Sequence, residues 1–255
     1  MDIDILQWNI SFNCQIDKIA DLLKKNISSN SIVCLQEVLN SAKDKLIEYL
    51  QPLDFAYSLD IRPPGKFDGK NRKLGLLTMT FGGKIQRGEL INRCIFPERT
   101  LFTQIDFKSY GNIKILNFHS LTGVGYKRGK ATHFASIAEF LESNSIDFFA
   151  CDANEPKSDS FNIGDLEFWD NGNKGKYPSL IFGLNKVHDL EDSINSIQNR
   201  FDKLPISHKT GNSFRRYDFI FKSEKWEVRS LDYLYEEAIK ATSDHALVIG
   251  KYKQS

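Results

Sequence analysis

Short runs rich in Ile, Val, Leu and Phe alternate along the chain with stretches in which apolar residues recur every three or four positions. The short runs predict strands over Ile3 to Ile10, Ser31 to Leu35, Leu74 to Phe81, Thr103 to Phe107, Ile113 to Phe118, Ile146 to Ala150, Tyr217 to Phe221 and His245 to Tyr252. Helical spacing links Ile16, Ile19, Ala20, Leu22 and Leu23, then Leu46, Ile47, Tyr49 and Leu50, and later Phe134, Ile137, Ala138, Phe140 and Leu141. Gly82-Gly83 reads as the turn of a hairpin. From Glu155 to Phe214 strand signals thin out and Gly, Asn, Ser and Lys take over. That stretch predicts loops on a rigid scaffold, with one helix near Val187 to Ile197.

The pattern also echoes itself. Ile3-Asp-Ile-Leu-Gln-Trp-Asn9 resembles Ile113-Lys-Ile-Leu-Asn-Phe-His119, and each is followed by an Ile-Ala-acid-x-Leu helix, Ile19 to Leu23 and Ile137 to Leu141. Each helix then leads to an apolar run ending in an acid, Glu37 in one half and Asp152 in the other. Shared strand and helix grammar would produce such a match by chance; a true repeat predicts two similar halves whose strand ends meet.

Composition narrows the class. At 255 residues, 41% hydrophobic and 26% charged, with 7 Pro, the sequence excludes disordered, fibrous and low-complexity proteins and fits one α/β domain spanning 1–255. A formal charge of +1 leaves the partner open, so only local clusters of Lys and Arg bear on nucleic acid. The acidic start Met-Asp-Ile-Asp is unlike a secretory signal, and no run of about 18 apolar residues predicts a membrane span. Cys14, Cys34, Cys94 and Cys151 fit no zinc spacing and lie mostly within apolar runs, so reduced thiols in the cytoplasm are expected.

Candidate chemistry gathers at strand ends. Asn9, Glu37, His119, Asp152, Asn154, Asp218, Asp244 and His245 each stand at or beside the end of an apolar run, where a strand can aim a polar group into a cleft. Singly, each reads equally well as a turn former, a cap or a core imidazole. His133, His188 and His208 carry no motif.

As an ordered set, Leu6-Gln-Trp-Asn-Ile10, Cys34-Leu-Gln-Glu-Val38, Leu116-Asn-Phe-His-Ser120, Cys151-Asp-Ala-Asn-Glu155, Arg216-Tyr-Asp-Phe-Ile-Phe221 and Ser243-Asp-His-Ala-Leu-Val248 resemble the endonuclease/exonuclease/phosphatase (DNase I-like) superfamily. They come in that superfamily's order and span nearly the whole chain. Two departures stand out: Cys151 replaces the usual Gly before the Asp, and Ser11 replaces the second acid of the apurinic branch. His119, where that branch has Tyr, further disfavours abasic-site cleavage.

The resemblance implies a four-layered α/β sandwich, two mixed sheets face to face with helices outside, and a Mg²⁺-dependent (or Mn²⁺-dependent) phosphodiesterase. Glu37 would be the hard oxygen ligand, with Asn9 and Asp244 beside it. Asp152 would orient or deprotonate the water, Asn154 and His119 would donate to the phosphate, and Asp218 would hold His245 as an imidazolium. An Asp218-His245 base remains an alternative. DNA, cut endonucleolytically, is the expected substrate. A nucleotide, a phospholipid or a tyrosyl-DNA link are rivals, as is an inactive binding module on the same fold. Lys70, Arg72, Lys73, Lys127, Arg128 and Lys130, with Arg216, are expected to meet the sugar-phosphate backbone.

Overall fold

The structure, a computed structural model, describes residues 2–66, 68–122, 127–169 and 176–255, without the side chains of Lys70, Asn71 and Lys127. Two six-stranded mixed sheets form its centre. The first sheet draws on both ends of the chain: β1 (Asp2–Asn9), β2 (Ser31–Val38), β3 (Asp54–Tyr57) and β4 (Gly75–Thr80), completed by β13 (Trp226–Leu234) and β14 (Leu247–Gln254). Its order is β13-β14-β1-β2-β4-β3. The second comes from the middle of the chain: β5 (Gly83–Leu90), β6 (Thr100–Phe107), β7 (Gly111–His119), β8 (Phe148–Asp152), β9 (Glu191–Asp192) and β12 (Asp218–Lys222), in the order β5-β6-β7-β8-β12-β9. Between β9 and β12 lies a small hairpin of β10 (His208–Thr210) and β11 (Ser213–Arg215).

The two sheets repeat one design. β1 and β2 are a parallel central pair joined by α1 (Ile16–Asn26), and β7 and β8 are a parallel pair joined by α4 (Lys127–Ser143). The remaining neighbours in both sheets are antiparallel. The strands of the sequence echo are thus the parallel central pair of each sheet, and in register Asn9 stands opposite Gln36 as His119 stands opposite Asp152, so Asp152 aligns with Gln36 and not with Glu37.

Periodicity of two explains the layers. Ile3 and Ile5, Ile32 and Cys34, Ile113 and Ile115, Phe148 and Ala150, with Ile220 and Val248, pack in one cluster between the sheets. The opposite faces carry Leu6, Trp8, Val33 and Leu35 against α1, α2 (Asn40–Leu50) and α6 (Tyr235–Lys240), and Phe118, Phe149, Phe219 and Phe221 against α4 and α5 (Lys176–Phe182). The result is helices, sheet, sheet, helices. A short helix, α3 (Ser58–Ile61), flanks β4. Among the described residues no helix is long and apolar enough to cross a membrane, and all four cysteines are free thiols.

Two expectations fail. Gly82-Gly83 does not turn a hairpin within one sheet; it carries the chain from β4 in the first sheet to β5 in the second. The glycines are needed for close approach, since a Cβ on Gly82 would strike the Ser29 carbonyl and one on Gly83 would lie 2.7 Å from Ile105. The predicted helix near Val187 to Ile197 is also absent. Its apolar residues, Leu190, Ile194 and Ile197, are buried from a loop, β9 and an irregular 3₁₀ turn over Asn195–Arg200.

Candidate active site

Along each central strand the face between the sheets changes from apolar to polar in the same direction. Ile3 and Ile5 give way to Gln7 and Asn9, Ile32 and Cys34 to Gln36, Ile113 and Ile115 to Asn117 and His119, and Phe148 and Ala150 to Asp152. Gln7, Gln36 and Asn117 form a buried amide layer. Gln7 Nε2 donates to Gln36 Oε1 (2.9 Å) and Asp218 Oδ1 (3.0 Å), and Gln36 Nε2 donates to Asn117 Oδ1 (2.9 Å). Such a network couples the sheets and seats the charged groups above it.

Above that layer the strand ends converge. Asp152, 1% exposed, accepts from Asn9 Nδ2 at 2.9 Å and lies 3.3 Å from His119 Nε2 and 3.8 Å from His245 Nε2. On its other side His245 Nδ1 meets Asp218 Oδ2 at 2.8 Å. Burial alone would lower the His245 pKa, but the Asp218 and Asp152 carboxylates outweigh it and push it up to about 10. Burial would likewise raise Asp152; the His245 charge and the hydrogen bonds from His119 and Asn9 instead hold it well below the usual carboxylate range. At neutral pH the pair is carboxylate and imidazolium.

His119 is oriented by a residue that the sequence did not flag. Arg99 Nη1, from a buried 3₁₀ turn over Pro97–Arg99, lies 3.0 Å from His119 Nδ1. A guanidinium only donates, so Nδ1 accepts and the ring proton sits on Nε2, facing Asp152. The signal available in sequence was slight: an Arg directly before a strand that pairs with β7.

Four residues of the strand-end loops, Ser11, Glu37, Asn154 and Thr242, have positive φ of 58°, 58°, 49° and 73°. Such conformations are uncommon for these types and concentrate where a chain must re-aim a side chain. At Glu37 the register of β2 against β4 slips, and the left-handed turn takes the carboxylate out of the outward phase set by Val33 and Leu35. Its Oε2 accepts from Phe12 N at 3.3 Å and its Oε1 lies 3.9 Å from His119 Nε2. Among the described residues no Lys or Arg forms an ion pair with Glu37. A cavity of about 220 Å³, lined by Ser11, Phe12, Cys14, Glu37, Ser41 and Lys45 among others, opens beside it.

That donor set fits a hard divalent cation: a part-exposed carboxylate on β2 without a Lys or Arg partner, the Asn9 Oδ1 at the end of the neighbouring strand β1, and the exposed Asp244 next to His245. The described residues also include two His/acid groupings whose ligand atoms lie within 4.8 Å of one another, Asp152-Asp218-His245 and His208-Asp244-His245. His208 enters from the β10–β11 hairpin. Its ring stacks on His245 at 4.2 Å, and its Nδ1 donates to the Asp244 carbonyl at 3.0 Å.

The eight motif residues thus stand on neighbouring strand ends and loops; the basic residues do not behave alike. Lys130 is 6% exposed and its ammonium meets Glu155 at 2.8 Å, so it cannot rim the cleft. Arg216 is 5% exposed and lies between Asp159 and Asp192, which neutralise it. Arg72 pairs with buried Glu98 at 3.0 Å. Lys73 and Arg128 are exposed, and the Lys70 and Lys127 side chains lie outside the described residues. Sequence reasoning missed two exposed aromatics, one of which, Trp169, donates its backbone N–H to Glu155, the neighbour of Asn154. Trp169 is 47% exposed beneath the Arg215 guanidinium, and Phe214 is 56% exposed beneath the Lys209 ammonium.

No protein-family model matches the chain, and no curated protein matches it. Solved structures do. D. rerio TDP2 complexed with a single-strand DNA product is 13% identical, with a TM-score of 0.69 and 99% of both chains covered. An endonuclease/exonuclease/phosphatase from Bacteroides vulgatus is 14% identical, with a TM-score of 0.68 and full coverage of both chains. The chain has the endonuclease/exonuclease/phosphatase fold. A third protein similar to it over that fold is the human Nocturnin catalytic domain with bound sulfate, 15% identical at a TM-score of 0.64, covering 100% of this chain and 95% of that one. Within the endonuclease/exonuclease/phosphatase fold, the paired sheets place the candidate residues at one end of the sandwich.

Proposed function

We propose that the protein is a Mg²⁺-dependent phosphodiesterase that cleaves DNA by in-line attack of water. The observation that carries the reading is the Asp218–His245–Asp152 arrangement, an imidazolium with one carboxylate at each ring nitrogen, set beside an unpaired Glu37. Asp152 stays ionised, so it can accept a hydrogen bond from the attacking water and orient it. His245 Nε2–H, His119 Nε2–H and the Asn154 amide supply donors for the charge that develops on a phosphoryl oxygen. The charged state of His245 favours this assignment over an Asp218-His245 base. Glu37, with Asn9 and Asp244, would hold the metal; when bound, it supplies charge neutralisation and assistance to the departing alkoxide.

DNA is favoured over the rival substrates by two features. The neighbour of similar fold from D. rerio was crystallised with a single-strand DNA product. In this chain Trp169 and Phe214 are exposed, each with a cation over its ring, which suits the bases and phosphates of an unpaired strand. Complete retention of the charged site argues against an inactive binding module.

End-labelled single- and double-stranded oligonucleotides incubated with protein and Mg²⁺ test the reading. Internal cleavage supports it. Hydrolysis confined to nucleotides, phospholipids or tyrosyl-DNA transfers the reading to that substrate, and failure to hydrolyse any diester with Mg²⁺ or Mn²⁺ overturns it.

A further inference from the structure

Lys130 carries a charge into the protein interior from the first turn of α4. Its ammonium makes two close contacts there. One is the Glu155 carboxylate at 2.8 Å, and the other is the backbone carbonyl of Asn154, to which it donates at 2.7 Å. Glu155 is itself 2% exposed, and its Oε2 accepts from Trp169 N at 3.1 Å. Burying a lysine and a glutamate so completely is costly, and on stability grounds apolar residues of similar volume often serve as well or better. The pair is therefore poorly explained as a device for stability alone.

What the pair does have is a position directly under the reacting groups. Asn154 is left-handed, with φ of 49°. Its amide N–H donates to Asp152 Oδ1 at 3.1 Å, and its side-chain Nδ2 donates to the Ser120 carbonyl at 3.2 Å. Ser120 N in turn donates to the Asp152 carbonyl at 2.9 Å. The Asn154 carbonyl points the other way, toward α4, and Lys130 is its donor. Asn154 is thus held from the Asp152 side through the peptide before it, by its N–H, and from the helix side through the peptide after it, by its C=O. Lys130 also ties this loop to α4, the helix that follows the His119 strand.

We infer that Lys130 and Glu155 form a positioning pair that fixes Asn154, and through it the Asp152 carboxylate, in the orientation used for catalysis. Lys130 touches no substrate; it acts through the Asn154 carbonyl. The inference rests on the phosphodiesterase reading of the site.

The test compares two double variants with the wild-type protein on a small chromogenic phosphodiester in saturating Mg²⁺. Lys130→Met with Glu155→Met removes both charges and the donor, and leaves no buried ion unpaired. Lys130→Gln with Glu155→Gln keeps a donor for the Asn154 carbonyl. The expected result is that the apolar pair retains its melting temperature within a few degrees and its KM within about 2-fold while kcat falls about 10-fold or more. The amide pair should keep kcat within about 3-fold.

A folded apolar pair with wild-type kcat overturns the inference, as do equal losses in the two double variants. Should the apolar pair not fold, Lys130→Leu with Glu155→Gln, in which the amide still accepts from Trp169 N, carries the same comparison. Wild-type protein without phosphodiesterase activity would instead remove the reading of the site on which the inference stands.

Discussion

Asp152 and Asp218 stand directly opposite each other in the antiparallel register of β8 and β12, and the two nitrogens of His245 each face one of their carboxylates. One ladder pair thereby sets both the charge and the direction of the imidazole. Replacing Asp218 with Asn should remove the anion that does most to keep His245 protonated. The falling limb of the pH–rate profile, expected near pH 10 in the wild-type protein, should move toward neutrality. His245→Ala and Asp152→Asn should each lower kcat by about two orders of magnitude or more. Steady-state rates from pH 5 to 11 on a small diester check all three; an unmoved limb in Asp218→Asn would remove its assigned role.

Glu37 is the carboxylate left without a cation, so Glu37→Gln should raise the Mg²⁺ concentration needed for half-maximal activity by about 10-fold or more. EDTA should abolish hydrolysis by the wild-type protein and added Mg²⁺ or Mn²⁺ restore it. Undiminished turnover in excess chelator would contradict the metal assignment.

Arg99→Met should free His119 Nδ1 and let the ring adopt the other tautomer. A loss of about 10-fold in kcat is expected, with KM little changed. Nitrogen-15 NMR of the imidazole reads the tautomer directly, and an Nε2–H ring retained in the variant would show that Arg99 does not set it.

Charge reversal at Arg128 and Lys209, both exposed, should weaken binding to an oligonucleotide and flatten its dependence on salt by close to one log-log unit per lost phosphate contact. Hydrolysis of the small diester should continue. Fluorescence anisotropy at 50 and 200 mM salt separates these outcomes, and unchanged binding would place the nucleic acid elsewhere.

His188 supplies a stability test remote from catalysis. Its Nε2 donates to the Ile181 carbonyl at 3.0 Å and its Nδ1 accepts from Leu190 N at 3.2 Å, so the neutral ring satisfies both neighbours. Burial pushes its pKa down to about 4 from 6.5, and that of His133 down to about 3. The unfolded chain binds these protons more readily than the folded one. Stability should thus be complete above about pH 6.5 and be lost as pH falls toward 4, by on the order of 3 kcal/mol for His188. Urea midpoints at pH 7 and 4.5 measure the slope. His188→Gln, which keeps one donor and one acceptor, should reduce it; an identical slope would assign the loss to other groups.

Where a local rule acts alone, the sequence is a good guide. The phase-two runs of Ile3–Ile5 and Ile113–Ile115 gave their strands, and the helical spacing of Ile16 to Leu23 and Phe134 to Leu141 gave the crossovers. β13 escaped notice although its exposure alternates at Trp226, Glu227, Val228 and Arg229, because charged residues fill its outward positions. The motif residues could be named because each ends an apolar run, but not the Gln7–Gln36–Asn117 layer, whose amides look like ordinary polar positions until three strands are brought together. Lys130 and Arg216 were misplaced for the same reason: a basic residue is read as exposed unless its acid is visible. Glu155 and Asp192 are 25 and 24 residues away from them in sequence.

The order in which the strands enter the two sheets has a bearing on synthesis of the chain. Every strand of the second sheet lies between Gly83 and Lys222, whereas the first sheet needs β14 to pair with both β1 and β13. On a ribosome, the second sheet has all its strands before the first can close, and β1 waits for a partner more than 200 residues away. Asp244 and His245 arrive just ahead of β14, the strand that performs this closure. A nascent chain that has not yet reached Asp244 therefore lacks His245, and the proposed site is completed in the same event that seals the sandwich.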